Sequence, residues 1–501
     1  MPDTFLVFDV GLTKCKTVLF NQQGEVLARV SSPYPTYHPQ PGWTEQHPQD
    51  WWQAVVTGTR HLSQQSASAM QSVRALSVTG HMHALVCLPE APEQPCPPAL
   101  VLGDQRSQPE AERLSAEVGV ERIYHLTGAR MDASMPAAKI AWLQKEAPEV
   151  YCKTRAFLSC KDWLRHQLTG EILTEPIDAC GSAMYDIQQR LWSPELVEAA
   201  GVRPDQLPRI ADPCAIAGRL SSAPARELGL PSGIPVVVGA GDDVEVLGHG
   251  LIHPGLSLVH LGSTGSILTC ADRPLYDPRM AIELYPHIIP GSWVLGGSVT
   301  AAGIALGWAE RVLQATEVNK KEDLTQRPDL LQPLVFIPHL AGERCPTWNP
   351  QARGSWIGLS LDHTAQDMLR AALEGVLFSL KGILERIEDL VGRQDCLLTG
   401  HAGPQQLPRV MLKADIFDRP MGVLQTHDPT ALGAMLLAAV GTGVFPNLVE
   451  AVHSVAGMSK RIEPQAERVG DYQKLYAVYQ AAAQAVRAIN TPALWEGEGE
   501  K

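Results

Sequence analysis

Two short turns rich in glycine and hydroxyl side chains are the parts of this chain best suited to chemistry. Residues 9–14 (Asp-Val-Gly-Leu-Thr-Lys) follow the apolar run 5–8, and residues 261–266 (Leu-Gly-Ser-Thr-Gly-Ser) follow the run 257–260. Glycine lets the chain turn tightly and approach a ligand closely, so such a turn can present backbone N–H groups and a hydroxyl to an anion. One such turn is more often a plain hairpin, and it is the repetition that favours a phosphate chain held from two sides.

A carboxylate stands at the end of the first apolar run. Mg²⁺ usually takes one or two carboxylates together with water and phosphate oxygens, and Asp9 is placed for that role. We expect Asp9 to hold Mg²⁺ through water, with Gly11, Thr13 and Lys14 contacting the phosphates of a nucleotide.

Composition and charge exclude several other classes of protein. The chain has 501 residues, of which 45% are hydrophobic and 19% charged, which predicts a folded enzyme of two or more domains. A net charge of −13 disfavours a nucleic-acid surface, and the apolar stretches are too short and too often interrupted by glycine to span a membrane. The ten cysteines form no C-x-x-C pair, which favours reduced thiols in the cytoplasm. We expect a small-molecule substrate, and a homodimer is compatible with the sequence.

Hydrophobic periodicity predicts the elements that position these turns. Three strands in a meander are expected over residues 4–31, and the same pattern restarts with strands at 256–261 and 267–270. The clearest helix covers residues 368–390, where apolar side chains recur every three or four positions. Two halves that each begin with strand, turn and strand predict a duplicated α/β architecture whose ligands lie between the halves.

Further motifs occur in order along the chain. The most specific is Gly-Ser-Trp-Ile-Gly-Leu at 354–359, followed by Asp-Met-Leu-Arg-Ala-Ala-Leu-Glu at 367–374; the others are residues 42–46, 81–83, 178–182, 239–243, 342–346 and 431–434. Together they resemble the FGGY carbohydrate kinases, and within that family most the xylulose kinases. The resemblance runs from Phe5 to about Phe445. It implies an α/β, two-domain duplicated ribonuclease H-like (actin-like ATPase) fold with an interdomain active-site cleft, a sugar-binding domain at 1–246 and a nucleotide-binding domain at 247–501.

The resemblance also implies an activity, the ATP- and Mg²⁺-dependent phosphorylation of a sugar hydroxyl, with D-xylulose and its 5-phosphate as the first expectation. Asp242 matches the family's general base, and Asp9 matches its acid near the metal and phosphates. Met82 and His83 match the family's sugar-contacting pair, and Asp104 an acid that touches the sugar. The family's nucleotide-contacting turns correspond to Thr13, Gly262, Ser263, Thr264 and Gly400, with His401 following directly.

Five positions depart from the family pattern, namely Leu12, His81, Leu102, Asp243 and His401. His81 and Asp243 are expected near the sugar without a settled role, and His81 would share a face with His83 if that segment were extended. From spacing alone, Asp242 could equally be a turn or capping residue. The open alternatives are a kinase for another ketose or polyol (ribulose, L-xylulose, erythritol or glycerol), a non-sugar ATPase or filament former of the superfamily, and a sugar-binding regulator without transfer activity.

Overall fold

A computed structural model describes residues 3–91, 93–314, 328–349 and 351–489. The outermost residues of the two predicted domains, 1–2 and 490–501, lie outside the described residues. The chain divides into two compact units. The first comprises Met1–Ile252, Tyr285–Trp293 and Asp428–Gly457, and the second His253–Leu284, Val294–His427 and Met458–Lys501.

The strands, in chain order, are β1 (Thr4–Val10), β2 (Lys14–Asn21), β3 (Val26–Pro33), β4 (Glu45–Gln46), β5 (Val73–Gly80), β6 (Val86–Pro89), β7 (Ala99–Leu100), β8 (Thr154–Leu158), β9 (Leu173–Thr174), β10 (Tyr185–Asp186), β11 (Leu191–Trp192), β12 (Arg209–Ile210), β13 (Ile216–Arg219), β14 (Pro235–Val237), β15 (Ala240–Gly241), β16 (Leu256–Leu261), β17 (Gly265–Ala271), β18 (Glu283–Pro286), β19 (Trp293–Val299), β20 (Val335–Ile337), β21 (Ser355–Ile357), β22 (Cys396–Thr399), β23 (Met421–Leu424) and β24 (Met458–Ile462).

The α-helices, in chain order, are α1 (Pro48–Gln65), α2 (Ala67–Met70), α3 (Gln108–Val118), α4 (Val120–Thr127), α5 (Pro136–Glu146), α6 (Pro148–Cys152), α7 (Cys160–Thr169), α8 (Pro176–Gly181), α9 (Pro194–Ala199), α10 (Ser222–Leu228), α11 (Glu245–Gly248), α12 (Gly303–Val312), α13 (Ala365–Val391), α14 (Leu407–Phe417), α15 (Pro429–Gly441), α16 (Leu448–Val455) and α17 (Ala466–Ile489). Short 3₁₀ helices cover Pro204–Gln206 and Asp242–Val244. No helix in the described ranges is long and apolar enough to cross a membrane.

Two seven-stranded sheets repeat one topology. The first has the order β13-β14-β5-β1-β2-β3 with β15 beside β5, and the second has the order β18-β19-β17-β16-β22-β23-β24. In each, the first strand of a meander lies between its antiparallel hairpin partner and a later parallel strand: β1 between β2 and β5, and β16 between β17 and β22. The repeat confirms the predicted duplicated two-domain α/β fold. It also confirms the two strand–turn–strand motifs.

Helix α13 confirms the strongest periodic pattern of the sequence. It begins at a capping box in which the Thr364 hydroxyl accepts from the Asp367 N–H and the Asp367 carboxylate accepts from the Thr364 N–H. Its apolar stripe is buried, including Leu369, Val376 and Ile383. The stripe therefore belongs to the core of the second unit.

The central strand β1 is buried along its whole length. Leu6, Phe8 and Val10 belong to one core cluster together with Trp51 of α1 and Trp163 of α7. Side chains alternate along a strand, so the intervening carboxyl group of residue 9 is turned to the opposite face of the sheet. Helix α15 also packs against β1 and β5, and this helix brings a second acid to the site described next.

Candidate active site

Asp9 lies near the carboxyl end of β1 and is only 5% exposed. The β1–β2 hairpin register places it directly opposite Lys16, whose Nζ lies 3.1 Å from Asp9 Oδ2. Burial raises the pKa of the Asp9 carboxyl, and the charge of Lys16 opposes that rise. Lys16 was not among the predicted site residues. Pairing the two strands of the tight hairpin residue by residue would have placed it opposite Asp9.

A second acid completes this ion cluster within the first unit. Asp428, which precedes α15, has Oδ1 3.5 Å from Lys16 Nζ and accepts a bond from Arg29 Nη1 at 2.5 Å. Burial lowers the pKa of Lys16, but Asp9 and Asp428 outweigh it, and the net pKa lies above its ordinary value. Lys16 is therefore charged at neutral pH and partly neutralises Asp9.

Asp242 opens the 3₁₀ helix that follows β15. The Met82 N–H donates to Asp242 Oδ1 at 3.2 Å, which brings the predicted base beside the predicted sugar-contacting turn. Burial raises the pKa of Asp242 well above its ordinary value of 3.8, and nearby carboxylates raise it further. Those carboxylates, in decreasing order of effect, are Asp243, Glu245, Asp178 and Asp9. A raised carboxyl pKa suits a group that must accept a proton during a reaction.

Glu245 is a further acid near Asp9. Its pKa is raised to about 7, first by burial and then by Asp9. Among the described residues, no group of three or more His, Cys, Asp or Glu side chains is arranged to hold a metal ion directly. The Asp9 carboxylate is an oxygen donor of the kind that Mg²⁺ takes together with water and phosphate oxygens, which fits an ion held through water.

The residues after β5 turn instead of extending. The chain bends at Met82 and His83, and His83 adopts a φ of 65°. His81 and His83 therefore do not share a strand face. The condition for sharing one, an extended segment, is not met, because β5 ends at Gly80 and the alternation of side chains ends with it. His83 is half-buried, and its Nδ1 lies 3.0 Å from Gly181 O.

His81 is 2% exposed. Its Nδ1 lies 3.0 Å from Val10 O, and its ring meets Trp51 edge-on at 5.7 Å between centroids. Burial lowers the pKa of His81 to about 4, so the ring is neutral at physiological pH. A sugar contact through His81 stays a prediction, whereas the observed contacts make it a packing residue beneath the turn.

Lys139 of α5 holds the Met82–His83 turn from behind. Its Nζ donates to the carbonyl oxygens of His83 at 2.6 Å, Leu100 at 3.2 Å and Val101 at 3.1 Å. The side chain is fully buried, and burial lowers its pKa to about 7. Three carbonyl acceptors satisfy the three donors of an ammonium group, so Lys139 fixes the backbone that presents His83.

Asp104 is also fully buried. Its carboxylate accepts from the Thr44 N–H at 2.7 Å and from Arg106 through Nε and Nη2, while Arg106 Nη2 also donates to Glu45 Oε1 at 2.8 Å. The Arg106 guanidinium lies 3.6 Å from the ring centroid of Trp43. The observed contacts therefore assign Asp104 the positioning of Arg106 and Trp43, and a direct sugar contact stays a prediction.

A buried ionic network lies behind Asp242. Lys161 Nζ contacts Asp162 Oδ1, Asp178 Oδ2 at 3.3 Å and Glu175 Oε1 at 3.9 Å. Glu175 Oε1 in turn accepts from the Gly241 N–H at 3.1 Å. This chain of contacts fixes the backbone immediately before Asp242.

Glycine is required at position 241. A Cβ added there would lie 2.9 Å from both Asp178 Oδ1 and Met82 Cγ, so no larger residue fits between the network and the turn. Gly239 has a separate constraint, because its φ is 76° and a Cβ there would lie 2.1 Å from Val78 O.

Asp243 is the second residue of the 3₁₀ helix that Asp242 opens, and Gly11, Thr13 and Lys14 lie at the β1–β2 turn. Gly11 N–H donates to Lys14 O at 3.1 Å, and the Tyr34 hydroxyl donates to Gly11 O. Thr13 and Lys14 are exposed, so their side chains are available to a ligand.

The second unit brings its predicted nucleotide residues to one sheet edge. Parallel neighbours β16 and β22 end just before 262–264 and 400–401, so both turns start at the same edge. The Gly262 N–H donates to Thr264 O at 2.9 Å, and the Gly303 N–H of α12 donates to Gly262 O at 3.0 Å. Ser263 and Thr264 are exposed.

His401 replaces a glycine expected from the family pattern, and it is exposed. Its ring lies against that of His427, with 3.8 Å between centroids and a tilt of 40°. His427 therefore lies beside the turn that contains His401.

Comparison with known proteins shows one family whose two domains match this sequence. Residues 4–247 match the N-terminal domain, and residues 258–442 the C-terminal domain, of the FGGY family of carbohydrate kinases. The chain is 30% identical to the xylulose kinase of Escherichia coli (strain K12) over 473 residues, covering 94% of this chain and 96% of the relative. It is 29% identical to the gluconokinase of Bacillus subtilis (strain 168) over 494 residues, covering 96% and 95%.

A solved structure shares the whole fold. The ligand-bound xylulose kinase of Lactobacillus acidophilus superimposes with a TM-score of 0.90 at 27% identity, covering 97% of this chain and 99% of that one.

Proposed function

Because this chain belongs to the FGGY family of carbohydrate kinases, we propose that it transfers the γ-phosphoryl group of ATP to D-xylulose, giving D-xylulose 5-phosphate. The observation that carries this proposal is the contact of Asp242 with the Met82–His83 turn. That contact supports the proposal because it brings a carboxylate of raised pKa next to the turn that we assign to sugar binding. Xylulose kinases are also among the similar proteins over nearly the full chain.

Gluconate is the second candidate acceptor, because the gluconokinase of Bacillus subtilis matches this chain at 29% identity over 494 residues, at least as well as the xylulose kinase does. Gluconate carries a carboxylate, which a site must neutralise with a cation. The buried cations beside the turn already have partners: Arg106 binds Asp104 and Glu45, and Lys139 binds three carbonyl groups. This arrangement favours an uncharged ketose.

In the proposed reaction, Asp242 accepts the proton of the sugar hydroxyl as that oxygen attacks the γ-phosphorus. The bond between the γ-phosphorus and the β–γ bridging oxygen breaks, and ADP leaves. The Met82 N–H and the Glu175–Gly241 contact hold the carboxylate in place before the sugar binds. Phosphoryl transfer depends mainly on positioning and on neutralised charge, so a rigid base and a balanced ion cluster are what the protein must supply.

We propose that Asp9 holds Mg²⁺ through water, where the ion would neutralise phosphate charge. Lys16 keeps Asp9 oriented through their 3.1 Å contact. We propose that the turn of Gly11, Thr13 and Lys14 contacts phosphate oxygens. The turns at residues 262–264 and 400–401 are proposed as the nucleotide-contacting turns of the second unit.

The two domains take corresponding roles in this proposal. Residues 1–246 bind the sugar and residues 247–501 the nucleotide. None of the ten cysteines forms a disulfide, which supports a reducing, cytoplasmic setting.

A panel of acceptors tests the proposed substrate. We expect D-xylulose to give the highest kcat/KM for ADP release at saturating MgATP, ahead of D-ribulose, L-xylulose, erythritol, glycerol and gluconate. Gluconate should be the poorest of the close competitors, because the buried cations Arg106 and Lys139 beside the Met82–His83 turn already have partners. A higher kcat/KM with gluconate would contradict the choice of a ketose. Tight sugar binding without ADP release by any acceptor would instead favour a regulator.

A further inference from the structure

Lys413 is a buried cation in the second unit. It lies on α14, is 9% exposed, and its Nζ donates to Thr399 Oγ1 at 3.3 Å. In the part of the chain that the structure describes, no carboxylate lies within ion-pair distance of this ammonium group. The neighbouring acid of the same helix, Asp415, pairs with Arg468 instead. Lys413 is thus a buried charge without a counter-ion.

The position of Lys413 connects it with the predicted nucleotide turns. Thr399 is the last residue of β22 and directly precedes Gly400. On the parallel neighbour β16, His260 lies close enough that Lys413 lowers its pKa, after the larger effect of burial. The His260 imidazole also borders the turn at residues 262–264, since a Cβ at Gly262 would lie 2.9 Å from His260 Nε2. Lys413 therefore lies beneath the sheet edge from which both turns start.

Burying an ammonium group away from water is unfavourable unless an anion or several acceptors satisfy it. Burial, and after it the charge of Arg409, lowers the pKa of Lys413 to about 8, so the group is still largely charged at neutral pH. The single hydroxyl of Thr399 leaves two of its three donors for another partner. An anion bound at this sheet edge would supply the negative charge and the hydrogen-bond acceptors that Lys413 does not find in the protein.

We propose that Lys413 is a phosphate-contacting residue of the nucleotide site, with Nζ donating to a phosphate oxygen of bound ATP or ADP. The inference rests on the proposed kinase function and adds to it a residue that the motifs did not indicate. Lysine binds phosphate as a compact point charge, which suits a contact made from below the turns.

Direct binding measurements on the full-length protein test this role. Titration calorimetry with ADP and with adenosine compares ligands that differ in their phosphates. Lys413→Gln and Lys413→Met should weaken ADP binding about 10- to 100-fold, the range expected for a lost hydrogen bond to a charged group. Both variants should change adenosine binding less than about twofold, because adenosine has no phosphate. Lys413→Arg should recover most of the ADP affinity.

Lys381→Met is the matched control. Lys381 is equally buried at 9% exposure, lies in the same unit and is paired with Glu385 at 3.6 Å. Its loss should leave ADP affinity unchanged.

Unchanged ADP affinity in the Lys413 variants, or an equal loss for ADP and adenosine, would overturn the inference. If Lys413→Met does not fold, Lys413→Gln decides the question, because it keeps a donor for Thr399. The proposed kinase function is tested separately, by whether ADP release at saturating ATP depends on sugar. A wild-type protein that binds neither ADP nor ATP would overturn both.

Discussion

Replacement of Asp242 by Asn is expected to lower kcat for sugar phosphorylation by about 10²- to 10⁴-fold, the usual contribution of a general base. The amide keeps the size of the side chain and can accept from the Met82 N–H, but it cannot take the proton of the acceptor hydroxyl. Binding of ATP should change little, since the loss lies in a proton transfer. Steady-state kinetics with titration calorimetry measures both quantities.

Asp243→Asn provides a comparison at the next residue. It removes a neighbouring carboxylate that raises the pKa of Asp242, but it leaves the base itself in place. We expect a change mainly in the KM for the sugar. A turnover above one tenth of the wild-type value in Asp242→Asn would remove Asp242 from the role of base.

The largest expected effect on stability follows from Lys161. Replacing it by Met should destabilise the protein by about 3–5 kcal/mol, because the substitution leaves buried carboxylates without their cation. Asp162 would keep Arg165 at 2.8 Å, whereas Asp178 and Glu175 would lose the lysine that contacts them both. The pKa of Glu175 is already raised to about 7, first by burial.

Lys145→Met is the control for this prediction. Lys145 also contacts two acids, Glu110 and Glu146, but its side chain is 64% exposed. Exposed ion pairs contribute about 1 kcal/mol or less. Urea unfolding followed by circular dichroism should show a much larger fall in midpoint for Lys161→Met. Equal midpoint shifts for the two variants would show that the buried network does not stabilise the first unit.

Local patterns predicted the framework well. The turns at 11–13 and 262–264, the strands around them and α13 follow from glycine, alternation and a three- to four-residue repeat. These signals depend on residues that are close together in the sequence, so they can be read from one sequence alone. Alternation did not decide how His83 is placed, because the strand ends at Gly80 and the segment after it is not extended.

The residues that the sequence did not indicate are partners from distant segments. Asp428 reaches Lys16 from a helix more than 400 positions away, Lys139 reaches the His83 carbonyl, and Lys161 meets Glu175. The sequence alone does not distinguish a lysine that contacts a buried partner from a lysine exposed to water. Only the fold distinguishes them, and therefore the motifs identified reacting groups but not the cations that balance or position them.

Phosphorus-31 NMR tests the central claim, transfer of the γ-phosphoryl group of ATP to a sugar, most directly. The wild-type protein is incubated with MgATP and the acceptor that gives the highest rate in the panel, and a matched sample omits the sugar. We predict one new phosphomonoester signal for every ADP formed, no such signal without sugar, and neither product above background with Asp242→Asn. Inorganic phosphate in place of the ester, or ADP formation at the same rate with and without sugar, would contradict a sugar kinase.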